Sequence, residues 1–325
     1  METTTQEVGS TKPGQLTVSE LGKARVWQVL VIITAAAFIF VYWHTFRWWW
    51  GHWWADDSYY SHGILIPIMS GFLVWSSRKR LAKMVLEPSI WGLMAVLLAA
   101  LVQFVSYRSA IPSVSGLTLP LVLLGGSLFL FGKYITRELL FPILFLFFMC
   151  VPPTQFLSKI SFNIQMLSTT FATASLKMVG YSAQQAGTQI HLPSINVVVG
   201  APCSGFRLLI ALLAFTTFIA MLLEGQAWRR WGLIAFILPL SLLLNSARVF
   251  AIALIGEHWG EDVMHTAHDP AGYVMIVIAL IIVLIVARAI GCRRFQEQFG
   301  GTELPSFGAS LVHTAKRIPS FFTRR

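Results

Sequence analysis

The chain has 325 residues, 56% of them hydrophobic and 12% charged, with a net charge of +10 and a mean hydropathy of +0.68. A soluble domain carries about 25% charged residues, and half that fraction leaves too little polar surface to face water on all sides, which excludes a water-soluble globular fold. The basic excess is no nucleic-acid signature either, because Lys and Arg form short clusters between apolar blocks instead of a patch interleaved with aromatics.

The apolar blocks run to about 20 residues, the length that crosses a hydrocarbon core of about 30 Å. They predict an all-α polytopic membrane protein, with the lipid bilayer as its first partner. About eight spans are expected, near residues 26–43, 62–77, 89–107, 114–132, 138–152, 204–223, 231–254 and 271–290. Residues 1–25 are then an N-terminal tail, 26–290 the transmembrane domain and 291–325 a polar, basic C-terminal tail. The first 24 residues are polar and lead into a long apolar segment without a clear cleavage site, so a retained first span is expected.

Basic clusters alternate with clusters that lack basic residues. Lys23 and Arg25 precede the first span, Arg78, Lys79, Arg80 and Lys83 follow the second, and Lys133 and Arg137 separate the fourth from the fifth. Arg229 and Arg230 separate the sixth from the seventh, and Arg288, Arg293 and Arg294 close the eighth. With the tails, one side collects 18 of the 24 Lys and Arg residues. By the positive-inside rule that side is cytoplasmic, with both termini inside.

Two outer segments stand out. Residues 44–61 carry Trp48, Trp49, Trp50, Trp53 and Trp54 and the stretch ADDSYYSHG. Indole rings favour the headgroup layer, so an interfacial anchor is one reading and a substrate-docking surface the other. The second segment, 153–203, opens as an amphipathic helix. It closes on TQIHLPSINVVVGAPCSG, whose alternating, β-branched pattern predicts short strands.

Three cysteines, Cys150, Cys203 and Cys292, are too few and odd in number for a disulfide framework. No CxxC or HExxH spacing marks a metal site, and no cofactor is expected. Cys203 lies in GAPCSGFRLL where the sixth span begins on the outer side. A helix N-terminus acidifies a thiol, and its free N–H groups could donate to an oxyanion. A small buried hydrophobe is the competing role.

Arg248 sits in LSLLLNSARVFAIAL, inside the seventh span, where an ionisable residue costs roughly 2.5–3.5 kcal/mol on insertion scales and is a functional candidate. Ser241, Asn245 and Arg248, spaced by four and three, share one helix face. A structural salt bridge is the other option, weakened by the lack of acidic residues in the apolar part of any span. The third element, HTAHDPAGYV, opens the eighth span with His265 and His268. Imidazole can serve as general acid or base, and Cys, His and Arg at one membrane surface form a nucleophilic site. If the seventh span ends near 254, Arg248 lies roughly 9 Å below its outer end. A helix break near Gly256, a tilt or a water-filled cavity would reconcile this.

In four places, in order, the chain resembles the exosortase/archaeosortase transmembrane transpeptidases: SHGILIPIMSGFLVW, APCSGFRLL, NSARVFAI and HDPAGY. The match covers roughly residues 40–290 and leaves out both tails. The resemblance implies a Cys203–Arg248–His268 active site on the outer face of the bacterial cytoplasmic membrane. Substrates would be exported proteins ending in a short motif such as Pro-Glu-Pro, one transmembrane helix and a basic tail. Cys203 would form a thioester, His268 would move protons, and Arg248 would stabilise the oxyanion or orient the acyl group. An amine or a glycan-linked acceptor would resolve the thioester. Arg207, within CSGFR, would receive the motif's acid or the substrate backbone, or else snorkel to headgroups. Asn245 and His62 are further substrate-binding candidates, His62 having a structural hydrogen bond as its alternative. The Gram-positive sortases use a similar residue set on an unrelated fold, which is analogy only. The competing functions are a transporter or a non-catalytic scaffold in exopolysaccharide export. A transporter predicts internal repeats and broken helices, and the sequence has no convincing repeat.

Overall fold

The computed structural model describes residues 25–55, 58–200, 205–292 and 294–296. Cys203 and nearly all of both tails lie outside these. The first helix, α1 (Arg25–Trp53), continues about ten residues past the end expected from hydropathy. Its aromatic-rich end stays helical because Tyr42, Thr45 and Trp49, spaced by three and four, are buried on one face. The 3-10 turn Ser61–Ile64 leads into α2 (Leu65–Ser76), followed by the single turn α3 (Arg78–Leu81). Then come α4 (Ile90–Arg108), α5 (Pro112–Phe131) and α6 (Lys133–Phe145), the last ending in a 3-10 turn over Leu146–Met149. The amphipathic segment forms α7 (Thr154–Met178); β1 (Gln184–Ala186) follows, ahead of the stretch whose pattern predicts strands, and that stretch forms β2 (Gln189–His191) and β3 (Asn196–Val198). The chain finishes with α8 (Phe206–Leu222), α9 (Ala227–Trp259) and α10 (Glu261–Ala289).

Among the described residues, five helical segments are long and apolar enough to cross a membrane: Gln28–Trp53, Ile90–Arg108, Pro112–Phe131, Ala227–Trp259 and Pro270–Ala289. Ser61–Ser76 and Phe206–Leu222 are shorter apolar helices. The chain is therefore an all-α polytopic membrane protein carrying one small sheet.

Two compact units divide the chain near residue 160. In the first, α4 and α5 pack backbone to backbone. A Cβ on Gly92 would sit 2.2 Å from the Phe129 nitrogen, and one on Gly125 would sit 3.0 Å from the Val96 nitrogen. Lipid offers helices no hydrophobic reason to associate, so close backbone approach supplies the dispersion contacts instead. Polar side chains satisfy one another across the same helices: Tyr42 meets Thr118 at 2.8 Å, and Ser115 and Thr118 both donate to Gln103 Oε1, at 2.8 and 2.9 Å. Gly92→Leu should therefore cost about 2 kcal/mol or more and lower the thermal midpoint in detergent. Gly126→Leu, where a Cβ meets nothing within 4 Å, is the control, and equal midpoints for the two would refute the close-packing account.

In the second unit α8, α9 and α10 share a core of Leu212, Leu233, Ile237, Ala279 and Val283. A second core seats the sheet on α9: Leu176, Val197 and Val199 pack with Val249, Ile252 and Met264. Gly256 makes that seat possible, because a Cβ there would lie 2.4 Å from Ile195. The start of the C-terminal tail adds an isolated bridge, Leu223 to Phe295.

Candidate active site

Helix α9 carries the site. Ser241, Asn245 and Arg248 lie on its buried face. The Arg248 Nη2 donates to the His268 carbonyl at 2.9 Å and lies 3.3 Å from His268 Nε2. A guanidinium N–H only donates, so in this contact Nε2 accepts, and a neutral ring carries its proton on Nδ1. The Arg248 Nε is buried and has no hydrogen-bond partner among the described residues. Gly272, one turn after His268, keeps that side of α10 bare, the guanidinium lying 3.5 Å from where a Cβ would stand.

The depth problem posed by the sequence has a simple geometry. No break occurs at Gly256: α9 runs on to Trp259, turns at Gly260 (φ +88°) and returns as α10. His268 lies inside α10, and the apolar stretch Pro270–Ala289 starts two residues later, so the histidine stands at the opening of the span, as its sequence position predicts. Arg248 and His268 each stand roughly two to three helical turns from the Gly260 corner, so the hairpin brings them together along its length.

Asn245 occupies the next turn of α9 and faces a different part of the site. Its Nδ2 donates to Ser168 Oγ at 3.0 Å. Gly205, at the N-terminus of α8 with φ +75°, is so close that a Cβ would fall 2.9 Å from the Asn245 side chain. A non-glycine residue there would meet both the left-handed backbone penalty and this clash. Cys203 lies outside the described residues, two positions before Gly205. Arg207 falls in the first turn of α8 and is half-buried. The other two thiols are buried and free. Cys150 Sγ lies 3.3 Å from the Gly116 carbonyl, and burial raises the Cys292 thiol against the lowering pull of Arg229 and Arg230. Buried thiols of this kind are poor nucleophiles.

His265 is exposed and pairs with Glu261 at 3.9 Å, both on the first turns of α10. His62 belongs to the first unit. It is buried, its ring stacks on Tyr60 at 5.8 Å, and neither ring nitrogen has a hydrogen-bond partner among the described residues. Burial raises the Tyr60 phenol above its usual range, with a smaller contribution from Cys150. The tryptophan cluster divides: Trp49 is buried and stacks on Trp53, whereas Trp50 and Trp54 are exposed.

Three supporting contacts have no counterpart in the sequence reading. They are Ser168 to Asn245, the Tyr181 hydroxyl to His258 Nε2 at 2.6 Å, and Ser194 to the Glu257 carboxylate at 3.1 and 3.2 Å. The last two pin the sheet to the end of α9. The run Ser168, Thr169 and Thr170 marks a polar stretch of α7, but nothing in it names a partner.

The chain is thus a multi-helix membrane protein that holds a buried arginine against a histidine, beside a sheet packed on the same helices. Residues 53–285 match the family of transmembrane exosortases (Exosortase_EpsH), and the chain belongs to that family. Comparison with curated proteins finds no match, nor does comparison with solved structures. Family membership makes the chain a multi-pass membrane protein of a sorting-related transpeptidase class.

Proposed function

We propose that this exosortase cleaves C-terminal sorting signals from exported proteins through a Cys203 thioester, on the outer face of the bacterial cytoplasmic membrane with both termini cytoplasmic. One observation carries the reading. On α9, Arg248 holds His268 and, one turn away, Asn245 backs the Gly205 turn that follows Cys203. One helix thus addresses both the acid–base pair and the segment bearing the thiol.

In the first half-reaction His268 takes the proton of the Cys203 thiol, the resulting thiolate attacks the scissile carbonyl carbon, and the oxyanion takes its donor from Arg248. His268 gives a proton to the departing amide nitrogen, the C–N bond breaks, and the membrane-tail fragment leaves as an amine. The acyl group remains on sulfur as a thioester. In the second half-reaction His268 takes a proton from the acceptor, either an amine or hydroxyl (including a glycan-linked one) or water. The acceptor attacks the thioester, the C–S bond breaks, and the departing sulfur takes that proton from His268, restoring the Cys203 thiol. Asn245 acts through the turn it backs, Arg207 receives the substrate near its acidic residue or backbone, and His62 is a substrate-side candidate whose ring nitrogens have no partner among the described residues.

Hydroxylamine tests the covalent step. The probe is a reporter carrying the C-terminal segment of an exported protein that ends in one apolar helix and a basic cluster. Processed in membranes with added hydroxylamine, its released fragment should end in a hydroxamate. A fragment ending only in a carboxylate at saturating hydroxylamine would overturn the thioester.

A further inference from the structure

Among the described residues the small sheet, ordered β1-β2-β3, has an outer edge on β1 and another on β3, and the β3 edge faces a cavity. In the β2–β3 ladder, Val199 N–H donates to the Thr188 carbonyl and Leu192 N–H to that of Ile195, both at 2.9 Å, and Val197 stands opposite Ile190. Hydrogen-bonded pairs alternate along an antiparallel ladder. Residues 195, 197 and 199 therefore direct their main-chain groups to β2, and those of Asn196 and Val198 point the other way. The strand order β1-β2-β3 places no described strand on that side. The Val198 carbonyl accepts from Gly200 N–H at 3.0 Å. The Val198 N–H and both main-chain groups of Asn196 remain along the edge.

This edge lines a cavity of ≈ 280 Å³. The opposite wall is a single stripe of α10, Glu261, Met264, His265 and His268, at positions i, i+3, i+4 and i+7. Val249 and Ile252 of α9 complete the lining. The cavity therefore reaches the same His268 that Arg248 holds. Proteins normally blunt an open edge by keeping it short or with a lysine, a proline or a bulge. Strand β3 is short, but it carries no lysine, proline or bulge and exposes Val198. Donor and acceptor groups repeating along one line are matched by another extended backbone, which adds as a strand. Neither a lipid chain nor a sugar ring repeats amide groups at that spacing.

We propose that the free edge of β3 binds the extended segment of the substrate, just ahead of its membrane helix, as a fourth strand. The scissile carbonyl is thereby laid beside the Arg248–His268 pair. This rests on the transpeptidase reading above. Residues 196–200 offer roughly 13 Å of edge at about 3.3 Å per residue, and Cys203 follows three residues later in the sequence. Alternate side chains of the bound segment face the cavity, where Val249, Ile252 and Met264 favour small or apolar ones, whereas the intervening ones face away.

The alternation supplies a selective test. Val198→Pro deletes an N–H that faces the cavity and leaves every β2–β3 hydrogen bond in place, and proline is tolerated at such edge positions. Processing of the reporter should fall about tenfold or more, as expected when a bound backbone loses a partner and its carbonyl is left unpaired. Gln185→Pro makes the equivalent change on the opposite edge of the sheet, at an outward position of β1, and should leave processing unchanged. As a second measurement, a photoreactive benzoylphenylalanine at position 198, in the full chain with Cys203→Ala, should crosslink to the reporter immediately ahead of its helix. Wild-type-like processing by Val198→Pro overturns the proposal, as does a crosslink that forms only with a second copy of the chain or with its own tail. Absence of processing by the wild-type chain would instead defeat the transpeptidase reading itself, so the two failures are distinguishable.

Discussion

Replacing Cys203 with alanine should lower reporter processing by about 10⁴-fold or more, the scale on which loss of a covalent nucleophile is felt. The chain has three cysteines, so the comparison with Cys150→Ala and Cys292→Ala is complete. Cys150 is buried against the Gly116 carbonyl. Cys292 is buried beneath the turn at Gly225, where a Cβ would meet its sulfur at 2.8 Å. Both variants should retain processing, and any penalty should appear as lost thermal stability, since truncating a buried side chain leaves a small cavity. Cys203→Ser separates nucleophilicity from shape, because a hydroxyl fits the space of a thiol but is far less ionised at neutral pH. It should be nearly as inactive as the alanine variant. Loss of the reporter's C-terminal helix is the measurement. Undiminished processing by Cys203→Ala would eliminate the thioester mechanism, and a dead Cys150→Ala of normal stability would move the nucleophile to the other unit.

Apolar block length makes the helices legible, and the spacing of Ser241, Asn245 and Arg248 makes their shared face legible as well. That face is buried in the folded chain. The amphipathic first half of 153–203 likewise becomes α7, and the β-branched alternation after it becomes β2 and β3, whereas β1 lies ahead of the stretch that carries that pattern. Helix ends are hidden. Hydropathy reports where residues prefer lipid, whereas α1 runs to Trp53 and α9 to Trp259 because helical hydrogen bonding continues wherever packing supports it. For the same reason α10 begins at Glu261, ahead of the apolar stretch at whose opening His268 stands. Pairings between distant residues are hidden too. Asn245 can be assigned to a buried face, but its partners Ser168 and Gly205 come from other elements and depend on how those elements pack. The open edge of β3 is a property of the sheet as a whole, since which main-chain groups face outward depends on the register with β2.

Arg248→Lys should reduce processing by about 10²–10³-fold, the usual consequence of losing one oxyanion donor, although it conserves charge. The guanidinium is a rigid fork, and a lysine ammonium is a point charge on a flexible stem. In the native site one nitrogen, Nη2, serves both the carbonyl and the ring of His268, while the buried Nε lacks a partner among the described residues. Holding α10 with Nη2 leaves Nε, unpartnered among the described residues, as a donor for a substrate oxygen. A lysine can replace one of these contacts at a time. If Arg248 donates to the oxyanion, the loss should fall on kcat with KM little changed, because the interaction exists only in the transition state. If it chiefly binds the ground-state substrate, KM should rise with kcat preserved. A purely structural link between α9 and α10 would instead appear as a lower thermal midpoint. Steady-state kinetics of the reporter in detergent or reconstituted membranes, measured alongside thermal unfolding, separate the three. Retention of activity within about threefold of wild type by Arg248→Lys would remove the fork geometry, and with it the oxyanion role, from the mechanism.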